Sequence, residues 1–382
     1  MTGTATIKKI VYGGAGLSHH EEQTLFIPYT APGDVVRFSV TKKRKQCLYG
    51  RIEEVLEPSP ARIEPACPAF GECGGCHMLH ISYEKEIETK KSFILESLER
   101  IGKIRTELTG VIPSPERFGY RNNAVFKAGT DGRRGFTMKE STTVVPFPRQ
   151  GCLLLPESMR EAIAALPPET LPRGGEVRVR TDRFGSVHFW GLRNAPGPPE
   201  VLMESGGLLF PVGPDVFFQV NSLLNEKLMH LIASMPARVG RTLLDLYSGT
   251  GFFTLALAPM TAEGIGIERS RTAVRNANAA ARLNGIKNIR FKRGITEHAI
   301  SRIREADIMI ADPPRGGLGE NVLRGIIRLR PSELILVSCE PPTLARDAAK
   351  LIGAGFILSE LHLVDLFPGT YHVETVALFR RA

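Results

Sequence analysis

Four places in the chain carry residue types suited to bond-making chemistry. An apolar run at 334–337 ends in Ser338-Cys339, and Glu340-Pro341-Pro342 then breaks the chain before a helical pattern resumes. Ligands of open parallel sheets bind beyond the carboxyl ends of the strands, so this position puts a thiol at a potential reaction site. The alternative is a small buried hydrophobe, a common fate of free cysteine. Further upstream, a strand at 242–247 runs into Ser248-Gly249-Thr250-Gly251 and a helix starting near Phe252. The next strand, 264–268, ends in Glu268, 23 residues after Asp245 (268 − 245). A glycine turn at a helix N-terminus lets a ligand reach backbone amides, and the following acid can accept both hydroxyls of a ribose. S-adenosylmethionine and NAD both fit that pattern. It is shorter than the dinucleotide fingerprint, and no phosphate-binding Gly-Lys-Ser/Thr is present. A third strand, 307–311, delivers Asp312-Pro313-Pro314-Arg315, and the segment 365–375 carries His372 and Glu374. Either acid taken alone is more often a solvated charge.

A second kind of chemistry is concentrated in Cys67-Pro-Ala-Phe-Gly-Glu-Cys73-Gly-Gly-Cys76, with Cys152 far downstream. Three cysteines within ten residues, with glycines that let the backbone fold round a centre, are poorly explained by packing. Four thiolates suit a tetrahedral zinc or an iron–sulfur cluster. Gaps of five and then two residues are unlike the paired spacing of a zinc ribbon and favour iron–sulfur, with zinc still open. Cys47 lies outside this set and reads as a spectator.

The elements that must position these residues follow from periodicity. Short β-rich runs at 5–11, 23–27, 35–42 and 48–55, separated by turn signals at 13–16 and 31–34, predict a small antiparallel barrel with a basic tip at 42–45. Residues 82–103 repeat apolar positions at helical spacing. A β-rich stretch follows over 118–126, 134–138, 142–145, 176–180 and 186–190, where Arg178, Arg180 and Arg183 predict a sheet with a basic rim. From about residue 205, strands alternate with helices, as in a doubly wound α/β domain. The chain has 382 residues and a formal net charge of +9, which favours an acidic partner such as nucleic acid. No apolar run reaches membrane-span length and no secretory leader pattern opens the chain, so a cytoplasmic protein without membrane attachment is expected.

Taken jointly, these residues closely resemble the RNA uridine carbon-5 methyltransferase family, in its iron–sulfur branch. The resemblance spans nearly the whole chain: the barrel, the cysteine quartet, Tyr120-Arg-Asn, Val216-Phe-Phe-Gln-Val-Asn221, Asp245 to Gly251, Asp312-Pro-Pro-Arg, Ser338-Cys339 and His372-Val-Glu374 occur in the family's order. It implies a multidomain chain: a TRAM/OB-like β-barrel at 1–57, a central α/β region with an iron–sulfur cluster at 58–204, and a Rossmann-like α/β methyltransferase domain at 205–382. Helices near 82–112 are expected to pack on that last domain.

The resemblance also implies S-adenosylmethionine as cofactor, bound by Gln219, Tyr247, Glu268 and Asp312. It implies a [4Fe–4S] cluster on Cys67, Cys73, Cys76 and Cys152, Cys339 as nucleophile and Glu374 as general base. The implied substrate is RNA, 23S rRNA first and the tRNA T-loop second, handled by a monomer. A catalytically silent RNA-binding or assembly protein is the reading from another class, and the intact site residues argue against it. Amino-group methyltransferases carry an aromatic after Asp/Asn-Pro-Pro, and Arg315 departs from that. Ser248 and Phe252 stand where many relatives have Cys and Asn.

Overall fold

The computed structural model describes residues 1–130, 132–237 and 241–381. Alternation of buried and exposed side chains builds the N-terminal barrel from β1 (Thr2–Thr6), β2 (Lys9–Ile10), β3 (Ala15–His20), β4 (Gln23–Pro28), β5 (Val35–Arg44) and β6 (Cys47–Glu57). Their order is β1-β5-β6-β4-β3-β2, around Leu25, Ile27, Val36, Phe38 and Leu48. Three expectations change here. β4 pairs with β6 in parallel, so the barrel is not wholly antiparallel. The run at 5–11 is split between β1 and β2, and β3 begins inside what reads as a glycine turn. Only Gly13 and Gly14 turn, with φ of 102° and 83°. Gly16 is a strand residue whose absent side chain leaves room for Thr30: a Cβ there would lie 1.9 Å from the Thr30 hydroxyl.

Ser82 caps helix α1 (Tyr83–Ser97) by accepting a hydrogen bond from the Lys85 amide at 3.2 Å. After β7 (Gly110–Ile112) comes the central sheet of β8 (Asn123–Ala128), β9 (Arg134–Thr137), β10 (Val144–Pro146), β11 (Glu176–Thr181) and β12 (Val187–Trp190). Its order is β10-β9-β8-β11-β12, and α2 (Glu157–Ala165) packs on it through Met159 and Ile163. The expected basic rim is corrected at one position. Arg180 is buried and donates to the carbonyls of Gly213, at 3.3 Å, and Val216, at 2.9 Å. A cation with no water is thus satisfied by backbone dipoles, and it pins the segment that leads to Gln219.

A hairpin of β13 (Val201–Ser205) and β14 (Leu208–Val212) leads into α3 (Asn225–Ser234) and the large sheet. The strands are β15 (Arg241–Leu246), β16 (Thr261–Glu268), β17 (Ile289–Arg293), β18 (Ile308–Ala311), β19 (Glu333–Ser338), β20 (Phe356–Val364) and β21 (Glu374–Arg381). Between them run α4 (Phe252–Ala256), α5 (Arg271–Leu283), α6 (Thr296–Ala299), α7 (Glu320–Leu329) and α8 (Pro341–Gly353). The order is β17-β16-β15-β18-β19-β21-β20-β7. The five strands from β17 to β19 are parallel, and β21 runs antiparallel between β19 and β20. β15 pairs with β16 on one side and β18 on the other, so the strand order reverses between β15 and β18 and opens a crevice at their carboxyl ends.

One face of this sheet buries Leu243, Ile310, Ile335 and Val337 with the α5 alanines. The other buries Leu244, Leu246, Leu334 and Leu336. Phe93 and Ile94 of α1 and Ile10 and Ala31 of the barrel belong to that second core, so barrel and catalytic sheet share one apolar interior. No helix among the described residues is long and apolar enough to cross a membrane.

Candidate active site

The sheet register brings Cys339 and Glu374, 35 residues apart in the chain (374 − 339), to the same end of the sheet. Ser338 of β19 pairs antiparallel with Thr375 of β21. Continuing the same register by one residue sets Cys339 opposite Glu374. In the parallel neighbour, Ala311 pairs with Leu336, so Asp312 leaves β18 beside them. All three groups feel one another. Burial, followed by the charges of Glu374, Asp312 and Glu340, pushes the Cys339 thiol up to about 12, and Arg315 opposes the shift. Burial, followed by the Asp312 charge, holds the Glu374 carboxyl well above the carboxylate range. Its Oε1 is buried with no hydrogen-bond partner among the described residues. Burial raises Asp312 to about 7.

Pro341 and Pro342 open α8 directly after this turn, where a fixed φ is already helical and a missing N–H costs nothing. They start the helix whose N-terminal residue follows the thiol by two positions.

On the other side of the crevice, Asp245, one residue before the end of β15, is almost fully buried and accepts a hydrogen bond from the Thr254 hydroxyl. Burial, with smaller contributions from Asp312 and Glu268, raises it to about 8. The chain then turns through Tyr247, Gly249 and Gly251, all left-handed, with φ of 67°, 54° and 83°. A Cβ on Gly251 would sit 2.5 Å from the Phe291 ring, so both conformation and space exclude a side chain there. Glu268 accepts from the Gly249 amide at 3.1 Å and from the Ser270 amide at 2.6 Å, which fixes its carboxylate at the crevice edge. Gln219 is buried, and its backbone carbonyl is held by the side-chain amides of Asn122 and Asn225 at 2.8 and 3.1 Å. Tyr247 is half-buried, with its hydroxyl on the Leu318 carbonyl at 3.4 Å.

Cys67, Cys73, Cys76 and Cys152 all line one cavity of about 530 Å³, whose wall includes His77, Arg121, Tyr371 and His372. None of the four is disulfide-bonded. Burial leads the upward shift of Cys73, Cys76 and Cys152, and repulsion from the other cysteines adds to it. Among the described residues, no three His, Cys, Asp or Glu side chains form a closed metal-holding group. The fold therefore converges four thiols on one cavity without drawing them into a coordination shell.

Two features of the site carry no signal in the sequence. Lys90, fully buried, bonds Glu86 at 2.8 Å, Asp365 at 2.6 Å and the Phe367 carbonyl at 3.0 Å. Glu86 also receives Arg117 at 2.8 Å and the Gly369 amide at 2.7 Å, and Tyr83 donates to Asp365 at 2.8 Å. The helical pattern at 82–103 does not distinguish Glu86 and Lys90 from the other charges of α1; in the fold they hold the loop that leads to Tyr371, His372 and Glu374. The other is Tyr12, from the barrel, whose hydroxyl donates to Glu340 at 2.8 Å.

A sheet with this order, a glycine turn at its switch point and an acid closing the next strand define an S-adenosylmethionine-dependent methyltransferase fold. Residues 207–382 match the family model tRNA (Uracil-5-)-methyltransferase. Residues 4–61 match the TRAM domain of tRNA (uracil(54)-C(5))-methyltransferase. An uncharacterized RNA methyltransferase of Aquifex aeolicus is 31% identical over 98% of this chain and 97% of its own. The 23S rRNA (uracil(1939)-C(5))-methyltransferase of Alkalilimnicola ehrlichii is 30% identical over 98% of this chain and 96% of its own. The chain belongs to the RNA uracil carbon-5 methyltransferase family. The same fold is found in the Pyrococcus abyssi tRNA (uracil-54, C5)-methyltransferase solved with S-adenosyl-L-homocysteine, at a TM-score of 0.78 and 22% identity over 99% of this chain and 100% of that one.

Proposed function

We propose that this enzyme methylates carbon-5 of a uridine in 23S rRNA, with Cys339 as nucleophile and Glu374 as general base. The observation that carries the reading is the β19–β21 register, which ends with Ser338 opposite Thr375 and, continued by one residue, sets Cys339 opposite Glu374, with Asp312 leaving the neighbouring strand β18. Uracil carbon-5 is too weak a nucleophile to accept a methyl group unaided. The Cys339 sulfur adds to carbon-6, forming an S–C6 bond and pushing the ring electrons into an enolate whose carbon-5 is nucleophilic. When bound, S-adenosylmethionine supplies an electrophilic methyl group. Glu374 then removes the carbon-5 proton, the C5–C6 double bond re-forms and the Cys339 thiolate leaves. Because both groups are biased toward their protonated forms, Cys339 must give up a proton before it attacks and Glu374 must be ionised before it accepts one.

Gln219, Tyr247, Glu268 and Asp312 are assigned to the cofactor. The support is the position of Tyr247, Glu268 and Asp312 at the carboxyl ends of β15, β16 and β18, with the Asp312 and Glu268 charges both felt by Asp245; Gln219 is assigned by the family resemblance alone. A [4Fe–4S] cluster is assigned to Cys67, Cys73, Cys76 and Cys152: the cavity they line has an all-thiol donor set, and burial makes Cys73, Cys76 and Cys152 resist ionisation unless a cation offsets their charges. Methyl transfer to carbon-5 is redox-neutral, so the cluster is read as a structural element, and no step above passes through it.

The rRNA assignment follows the full-length similarity to the 23S rRNA enzyme. Incubation with methyl-labelled cofactor and with 23S rRNA or tRNA lacking the modification tests it. Label in 5-methyluridine of 23S rRNA is expected. Label confined to the tRNA T-loop would replace the substrate, and absence of label from both, with RNA still bound, would favour a silent binding protein.

A further inference from the structure

We propose that Tyr12 of the N-terminal barrel is a positioning residue for the Cys339 turn, so that the barrel contributes to bond formation as well as to RNA binding. This rests on the reading of Cys339 as nucleophile. The Tyr12 hydroxyl donates to Glu340 Oε2 at 2.8 Å and lies 3.4 Å from the Cys339 carbonyl oxygen, across a separation of 327 residues. It is thus tied to the two residues that form the turn between β19 and α8.

The tie is built into the fold. Gly13 and Gly14, both at positive φ, turn the β2–β3 hairpin so that its tip enters between two other segments. A Cβ on Gly14 would stand 3.2 Å from His77 and 3.5 Å from Tyr371. The Tyr12 ring packs edge-on against Phe93 of α1 at 5.7 Å and Tyr371 at 5.5 Å. Ile10, two residues before it, is part of the core shared with the catalytic sheet. The hydroxyl is therefore delivered by a rigid hairpin.

Its chemical purpose follows from charge. Glu340 is the residue next to the thiol, and its carboxylate opposes formation of a second negative charge on sulfur. A phenol donating to that carboxylate withdraws part of its charge and fixes its direction, and such charge-assisted bonds are stronger than neutral ones. The barrel then biases Cys339 toward thiolate at the moment uracil is presented.

The test uses the full-length protein, saturating S-adenosylmethionine, and 23S rRNA fragments carrying 5-fluorouridine, whose carbon-5 fluorine cannot leave as a proton. Tyr12→Phe keeps the ring packing and removes the hydroxyl. We expect covalent adduct formation at saturating RNA to slow by about tenfold, as for loss of a hydrogen bond to a charged group, with RNA and cofactor dissociation constants unchanged. In a Glu340→Gln background, Tyr12→Phe should change the rate by less than about twofold. An unchanged rate in Tyr12→Phe, a loss confined to RNA affinity, or equal slowing in both backgrounds would overturn the proposal. Cys339→Ala separates the two readings: if it still forms the adduct, the nucleophile assignment fails, whereas adduct lost there but normal in Tyr12→Phe rejects the Tyr12 role alone.

Discussion

Glu374 and Cys339 are neighbours across the sheet register, yet each is biased toward its protonated form, Cys339 by burial and the Glu374 charge and Glu374 by burial and the Asp312 charge. If these are base and nucleophile, removing one leaves the other's step intact. Glu374→Gln should still form the S–C6 bond and accept the methyl group, then stall, so a methylated covalent complex accumulates on a denaturing gel with ordinary uridine RNA. A variant that turns over at the wild-type rate would contradict the base assignment. The raised thiol gives a second expectation. A group displaced to about 12 has a thiolate fraction that grows nearly tenfold per pH unit throughout the range below it. Peptide-resolved alkylation of Cys339 in the cofactor-free protein should therefore climb steadily from about pH 7 to 9.5, whereas an unperturbed thiol levels off just above its pKa of ~8.5.

At the scale of elements, a buried ion cluster and a strained turn hold the site. Lys90 lies between Glu86 and Asp365 with no exposure. Lys90→Met strands two buried carboxylates, and loss of one partner of a buried pair costs ~3–5 kcal/mol. Urea unfolding should report that loss; a change near zero would mean the network is solvated. Gly251→Ala adds a Cβ at φ 83° against Phe291, so cofactor affinity measured by calorimetry should fall while the barrel still folds. These elements were unequally legible. The strand before Cys339 announces itself, because 334–337 is a fully apolar run and the sheet buries it on both faces. Strand β3 was hidden, because Gly13 to Gly16 looks like punctuation when only its first half turns. Arg180 read as a surface cation because nothing local in the sequence reveals the carbonyls of Gly213 and Val216. Tyr12 and Lys90 act across 328 and 275 residues, beyond the reach of any local pattern.

At the scale of the whole molecule, the barrel, α1 and the large sheet share one core, so the barrel is mechanically continuous with the sheet that carries Cys339 and Glu374. The crevice has its own pH signature. Asp245 and Asp312, raised to about 8 and about 7, keep protons in the folded protein that an unfolded chain with ordinary carboxyls releases near pH ~3.9. Their contribution to folding is therefore full below ~3.9 and is lost as pH rises through 7 to 8. A sulfonium cation in the crevice favours the ionised carboxyls. The thermal shift produced by S-adenosylmethionine should thus be larger at pH 8.5 than at pH 6; the reverse order would mean these acids do not face the cofactor.

The central claim is that uridine is methylated through a covalent bond to Cys339. It is tested most directly by trapping the protein on 5-fluorouridine-containing 23S rRNA with S-adenosylmethionine, digesting both polymers and locating the crosslink by mass spectrometry. A methylated fluorouracil on the peptide containing Cys339 is predicted. A crosslink on another residue, or methylated RNA with no covalent species, would contradict it.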